Sequence, residues 1–574
     1  MERLFSIFSS EIGDGSSLVF TKLDFWLFFL LVMIVLSFLN KKTIVRSIFL
    51  TIVSLFFFYK TSGLYMLLLI ISVTFNYFLG RRIFISKNEI NRKFIIIISA
   101  IFNLFILGYF KYAYFFTASF NDMFHSNYEI INQFAKFGNS FFDNTPFVEK
   151  ILLPVGVSFF TFQNISYVVD IYRKEINPVK NFFHYSFFVT FFPQLVMGPI
   201  VRARDFMPQL AQQSILTKVD FSWSIIQIVK GLIKKIVIAD FLIVYFIDKL
   251  LFTETFTFEE PGFVYVIVMW AYSIHIYADF SGYTDIAIGL SRLMGFKLKP
   301  NFNSPYKAVN VADFWRRWHI SLGSWLKDYL YIPLGGNRTG GIGSYIAIAL
   351  IFTFLIFITQ WWELLWIYGG LTIIYLLGII FITDFKRFVH RDLNLIITMV
   401  LGGLWHGPSE NFVIWGAMNG CALLVYKYWK RISFYENSQR IIAHFWKIFI
   451  TFNFITFTRI WFKLDEARIG PFKESGLTDY KADKLPMELL NQITFHFNFS
   501  IDYFIKFIDT YHIPLIIMLA GFIVHWLPNK VKTFYEKTFT SLPMWLQIIS
   551  VSIIILLVYQ AIGLEQPPFV YLQF

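Results

Sequence analysis

The sequence predicts an all-α polytopic membrane protein, and three observations predict it. Long apolar runs recur from end to end, at 26–39, 64–79, 95–110, 263–276, 345–358, 373–382, 515–524 and 546–558. Of the 574 residues, 56% are hydrophobic and only 15% are charged, against about 25% charged in a typical soluble domain. The basic residues gather in short clusters between apolar runs, as the positive-inside rule expects of cytoplasmic loops. A helix needs about 20 mostly apolar residues to cross a bilayer. By that measure the chain holds roughly 11 to 14 transmembrane or re-entrant helices. The short alternating strands of a membrane β-barrel are absent from the pattern.

Residues 1–23 are mixed polar and lack the basic start and small-residue cleavage site of a signal peptide, so the first span is expected near Asp24. Lys41, Lys42 and Arg46 follow it, and Arg81, Arg82, Lys87, Arg92 and Lys93 lie one hairpin later. If both clusters are cytoplasmic, the N-terminus, the turn at Lys60–Gly63 and a loop Tyr112–Lys150 face outward. The net charge of +13 is therefore read as contact with an anionic membrane face, not nucleic acid. Lys427, Lys430, Arg431 and Arg440 form a later cluster. No repeat or low-complexity linker divides the chain, so residues 1–574 are expected to form one membrane-embedded domain. Its polar residues are densest among apolar ones from about 151 to 424. The most hydrophilic stretch, about 463–490, carries Gly470, Pro471 and Gly476 as breakers and reads as an extramembrane loop.

Within that core, Lys230 and Lys234 stand one turn apart on a common face, with Lys235 beside them. They either snorkel to headgroups or attract a phosphate-bearing donor; Arg202 and Arg204 carry the same two readings. Asp279 and Asp285 stand at the end of the apolar run from Phe263. They are candidates to bind a cation, to pair with Arg316 or Arg317, or to cap the next helix. Trp315, Trp318, His319, Leu322, Trp325, Leu326 and Tyr329 recur at helical spacing and predict one amphipathic, tryptophan-rich helix over Val311–Pro333. Asp313 serves it as N-cap or as first-turn charge, and His319 falls on its aromatic side.

A polar side chain at membrane depth costs about several kcal/mol, which makes it a functional candidate. His406 ends a stretch with Gly402 and Gly403 before it and Gly407 and Pro408 after it, residues that permit close approach and break a helix. There it is either a general base for an attacking hydroxyl or a core histidine satisfied by a carbonyl. His319 can polarise an acyl carbonyl, orient His406, bind a donor or close a hydrogen-bond network. The chain has no His-Glu-x-x-His pattern, so no metal site is expected. Cys421, the single cysteine, excludes an intrachain disulfide and reads as a small buried residue on a helix.

Taken together, Leu153–Gln163, Tyr167–Arg173, Phe192–Arg202, Asp279–Asp285, Asn301–Phe302, Pro305–Tyr306, Phe314–Leu322, Trp325–Asn337 and Gly402–Gly407 form an ordered set. The set resembles the membrane-bound O-acyltransferase family, in particular its bacterial branch that modifies cell-surface polymers. The terminal segment Phe569–Phe574 is similar to that branch as well. The resemblance implies a cup of tilted helices around a tunnel in a bacterial inner (cytoplasmic) membrane. It implies His406 as the catalytic histidine and His319 as the second tunnel histidine. Trp315, Arg316, Arg317, Trp318, Trp325, Asp279, Asp285, Trp405 and Asn337 are the accompanying substrate-binding candidates. No permanently bound cofactor is expected; acetyl-CoA or another acyl thioester is the implied donor. A hydroxyl of a cell-surface polysaccharide or of a partner protein is the implied acceptor, with a partner of the SGNH esterase-like class often completing the transfer. D-alanyl transfer to teichoic acid and transport of a polymer precursor are the alternatives. The chain departs from the family pattern between Arg338 and Trp405, where about 65 residues intervene. They read as an inserted helical hairpin at about 340–390. Pro408–Asn411 is also unusually polar, with Glu410 read as a helix-end residue.

Overall fold

A computed structural model describes residues 20–560 except 40, 141–148, 214–215, 253–256, 337–340 and 466–478. The described residues are helical, without strands. Six helical stretches are long and apolar enough to cross a membrane, and Leu23–Leu39, Ile342–Phe357 and Met544–Gln560 are shorter apolar helices. The expected 11 to 14 segments resolve in this way because several motif helices are short and wrapped by protein instead of spanning lipid.

The N-terminal part is built from α1 (Leu23–Leu39), α2 (Thr43–Ser62), α3 (Met66–Ile85) and α4 (Glu89–Leu107). Between α3 and α4, Asn76 Oδ1 accepts from Asn103 Nδ2 and from Ser99 Oγ, each at 2.8 Å. Polar side chains in an apolar surrounding find one another across helices in this way. Where a loop Tyr112–Lys150 is expected, part of the described chain is helical. A π-helical turn, Gly108–Tyr112, leads into α5 (Ala113–Phe124), and α6 (Gln133–Asn139) follows. Arg46 does not reach a headgroup. It is buried, and its guanidinium donates to the carbonyls of Leu210 and Gln212 at 3.2 and 3.0 Å.

The motif core begins with α7 (Val157–Tyr172), in which 13 of 16 residues are buried. Its Asn164 bonds Ser72 Oγ and accepts from Tyr185 Oη, so α7 is held by protein on every side. Next come α8 (Phe182–Thr190), α9 (Ala203–Leu210), whose end Arg46 caps, and α10 (Lys218–Leu232). Helix α11 (Gly262–Leu293) is continuous over 32 residues, so Asp279 and Asp285 lie inside it, not at its end. Then come α12 (Val311–Arg317) and α13 (Ile320–Leu326). The pair α14 (Ile342–Thr359) and α15 (Glu363–Phe381) occupies the segment read as a hairpin, and no residue of the apolar window of α15 is buried. Helices α16 (Phe385–His406) and α17 (Glu410–Ile432) pack closely, and α18 (Ile441–Leu464) lies against α17. Part of the expected extramembrane loop is α19 (Asp479–Phe495), with Leu485 and Leu489 buried. The described chain closes with α20 (Ile501–Trp526), α21 (Asn529–Ser541) and α22 (Met544–Gln560). Phe569–Phe574 lies outside the described residues. Cys421 is exposed on α17, not buried as expected.

Candidate active site

His406 is the last residue of α16, and Gly407 continues in extended conformation. A helix leaves its final carbonyls without partners. Here three of them are met by the π-helical turn after α4. Lys111 Nζ donates to the carbonyls of Trp405 and His406 at 2.6 and 2.9 Å, and Tyr112 Oη to that of Leu404 at 2.7 Å. A cation at this end also complements the helix dipole. The following turn is pinned from the other side. Ser409 Oγ bonds Asp465 Oδ1, and Asn411 Nδ2 reaches the same oxygen at 3.1 Å. The polarity of Pro408–Asn411 thus has a local cause, and Glu410 opens α17.

The glycines around His406 answer to space. A Cβ on Gly403 would lie 2.3 Å from the Phe412 carbonyl oxygen, and one on Gly407 would lie 2.0 Å from the Phe412 ring. The α16–α17 crossing therefore closes only on glycine, and it places the His406 ring against Trp415 and Phe462, at centroid distances of 5.2 and 5.5 Å.

His319 does not sit in one continuous amphipathic helix. The helix predicted over Val311–Pro333 breaks at Trp318 and His319, and His319 adopts a left-handed backbone, φ 45°, which is uncommon for a side-chain-bearing residue. Asn301 holds the break. Its carbonyl accepts from Ile320 N at 2.9 Å, and its Oδ1 accepts from Ser321 N and Oγ at 3.1 and 2.9 Å. The N-cap of α12 is Asn310, with Asp313 in its first turn. The buried His319 ring packs edge-on to Phe280 at 4.7 Å and meets Trp405 at 6.1 Å, while the His406 ring meets Trp405 at 5.0 Å. One indole thus contacts both imidazoles. Trp405 is braced in turn, stacking on Phe162, which stacks at 3.7 Å on Trp325.

A narrow cavity opens beside His406, walled by Trp315, Trp318, Trp415, Asn419, Arg459 and Phe462 among others. Its open volume is only ≈ 10 Å³, room for about one water. Among its described lining residues Arg459 is the one fixed cation. Arg459 is buried, donates to Tyr306 Oη at 2.6 Å and lies 4.7 Å over the Trp318 ring.

Comparison with known proteins places this arrangement. A family model described as MBOAT, membrane-bound O-acyltransferase family, matches residues 174–358. A peptidoglycan O-acetyltransferase of Helicobacter pylori is 32% identical over 455 residues, covering 74% of this chain and 72% of that protein. The chain belongs to the membrane-bound O-acyltransferase family. It is an O-acyltransferase and a multi-pass membrane protein. A probable alginate O-acetylase AlgI of Pseudomonas aeruginosa is 34% identical over 414 residues, 71% of this chain and 66% of that protein. A teichoic acid D-alanyltransferase of Bacillus subtilis is more distant, at 24% over 317 residues, 53% of this chain and 67% of that protein.

In this O-acyltransferase the structure brings His406, Trp315 and Trp318 to one cavity, while Trp405 contacts the His406 ring and His319 reaches that ring through Trp405. The structure does not bring the remaining candidates there. Arg316 is exposed and faces Asp313 at 3.4 Å; Arg317 pairs with Asp313 at 2.9 Å. Trp325 is a buttress, its indole N–H donating to the Phe162 carbonyl at 3.0 Å. Asp279 pairs with Lys235 and Asp285 with Lys234, each at 2.7 Å. Lys234 and Lys235, for which the sequence leaves both headgroup snorkelling and attraction of a donor open, therefore neutralise the aspartates, and neither aspartate meets Arg316 or Arg317. Arg202 bonds Asp328, and Arg204 pairs with Glu175 at 2.9 Å. Asn337 lies outside the described residues. Sequence reasoning missed Arg459, Lys111 and Asn301. Arg459 had a readable signal, a lone arginine in the apolar run of α18. Lys111 stands at the edge of its apolar run, where a loop charge is the ordinary reading.

Proposed function

We propose that this O-acyltransferase moves an acetyl group from a cytoplasmic thioester, acetyl-CoA or an equivalent, to a hydroxyl of a cell-surface polysaccharide. In this reading it works in a bacterial inner membrane, and an SGNH-type partner carries the acetyl group between two half-reactions. The relatives named for O-acetylation of peptidoglycan and alginate support it. The observation that carries it is a histidine fixed at a helix end, facing a narrow cavity with one buried arginine. His406 takes the proton from the acceptor hydroxyl as its oxygen attacks the thioester carbonyl. Negative charge gathers on the carbonyl oxygen, where Arg459, in the cavity wall, stabilises it, and His319 acts through Trp405, the indole both imidazoles contact. The C–S bond then breaks and the thiolate leaves.

Cation-coupled transport loses its motive, since Asp279 and Asp285 are both paired with lysine. D-alanyl transfer draws on the more distant relatives. The test is thioester turnover by the purified protein in detergent. Replacement His406→Ala abolishes it in this reading; wild-type turnover by that variant removes His406 from the mechanism.

A further inference from the structure

A second cavity, of ≈ 570 Å³, is lined by Asn301 of the His319 break but not by His406, and it falls within the size range of small-ligand sites, about 300–1,000 Å³. Its lining is partly apolar, with Ile226, Val229, Ile274, Ile288, Val524 and Ile554 from α10, α11, α20 and α22. Lys230, Lys234, Lys532, Asp285 and Glu536 add charge to the same lining. Lys307 stands just behind it, its Nζ on the Leu527 carbonyl at 2.8 Å, and Leu527 lines the cavity.

The charges do not balance. Three lysines and two carboxylates line the cavity, and a fourth lysine, Lys307, stands behind it. Asp285 is shared by Lys234 at 2.7 Å and Lys230 at 3.8 Å, and Lys230 also reaches Glu536 at 3.6 Å. Lys532 and Lys307 donate to neutral oxygens: Lys532 to Ser304 Oγ and the His525 carbonyl at 3.0 and 3.1 Å, Lys307 to Leu527. Burial, followed by the nearby charges of Lys307, Lys234 and Lys230, holds the Lys532 ammonium down at about 8. An anion in the cavity would relieve that crowding.

The apolar lining decides which anion. Helices α20 and α22 turn exposed apolar side chains outward, such as Ile523 and Ile553, so the cavity adjoins the acyl-chain region. Helix α21, which carries Lys532, also presents Lys530 and Lys537 on its exposed surface, the pattern of a helix lying at headgroup depth. Basic pockets between membrane helices suit lipid headgroups. We propose that this cavity binds an anionic phospholipid, its phosphate at Lys532 and Lys307 and an acyl chain along the α10–α20–α22 wall.

Native mass spectrometry of the purified full-length protein tests this, with phosphatidylglycerol, phosphatidylcholine and coenzyme A as separate probes. Wild type is expected to retain phosphatidylglycerol over phosphatidylcholine. The pair Lys307→Gln and Lys532→Gln should lower retention about tenfold, and Lys532→Arg should keep it. Glu536→Gln, which removes a competing carboxylate, should raise it; this gain stays readable if the lysine variants fold poorly. Equal phosphatidylglycerol retention by wild type and the lysine pair overturns the proposal. So does retention of coenzyme A, and not of the lipid, in a Lys532-dependent manner.

Discussion

Lys111 meets the carbonyl of His406 across 295 residues of chain. It touches the backbone that carries the imidazole, so its effect on turnover runs through position. A misplacement of about 1 Å can cost about 10²-fold in rate. We expect Lys111→Met to lower kcat by about 10- to 100-fold with little change in KM for the thioester, and Lys111→Arg to recover part of the loss. Arg459 differs, because it lines the cavity itself. Arg459→Met should cost about 10²-fold in kcat, the scale for losing a donor to a developing oxyanion. For His319→Ala, turnover should fall while the gel-filtration profile of the folded protein stays unchanged; an unchanged rate would leave His319 a structural role only. The burial of the two histidines was legible because strongly polar residues stand out in an apolar chain, while their assigned roles rested on the family resemblance. Their shared contact with Trp405 was not legible, because spacing along the chain says nothing of which helix ends meet.

Two elements shape the site, a broken helix and a close crossing. The aromatic periodicity of 311–333 read as a single helix, and periodicity alone permits that. The break at His319 comes from Asn301, a residue outside the periodic segment that takes the first-turn hydrogen bonds of α13. At the α16–α17 crossing Gly403 has no room for a methyl group. Gly403→Ala should destabilise the protein by about 1–3 kcal/mol, the usual cost of overpacking, read as a lower melting temperature in detergent. At the start of α10 the hydrogen bond from Thr217, then Arg292, holds the Asp220 carboxyl below its ordinary value. The folded value is lower than the unfolded one, so this contribution is complete above the unfolded value and fades as pH falls through the folded one. Melting temperature should therefore drop less on acidification in Asp220→Asn than in wild type.

Across the whole molecule, composition announced the membrane but not the seating of each helix. The most apolar window, in α15, has mean hydropathy 2.2 and no buried residue, while that of α11 has 1.4 and is 78% buried. Lipid rewards apolar surface, and polar side chains belong where helices touch. Asp279 and Lys235 show what the interior then requires. Lys235 also pairs with Asp240 at 2.8 Å, and removing one partner strands a buried charge at about 3–5 kcal/mol. Lys235→Met should lose folded protein, and joint replacement of Lys235, Asp240 and Asp279 by apolar residues should restore much of it. The cap on α16 bears on biosynthesis. In a chain made from its N-terminus, the ammonium of Lys111 is already in the membrane before the helix end it will close has been translated. A shortened gene starting at residue 174, where the matched family segment begins, would still encode both histidines. It would leave the carbonyls behind His406 without their cation, so such a fragment should turn over thioester more slowly than the full chain.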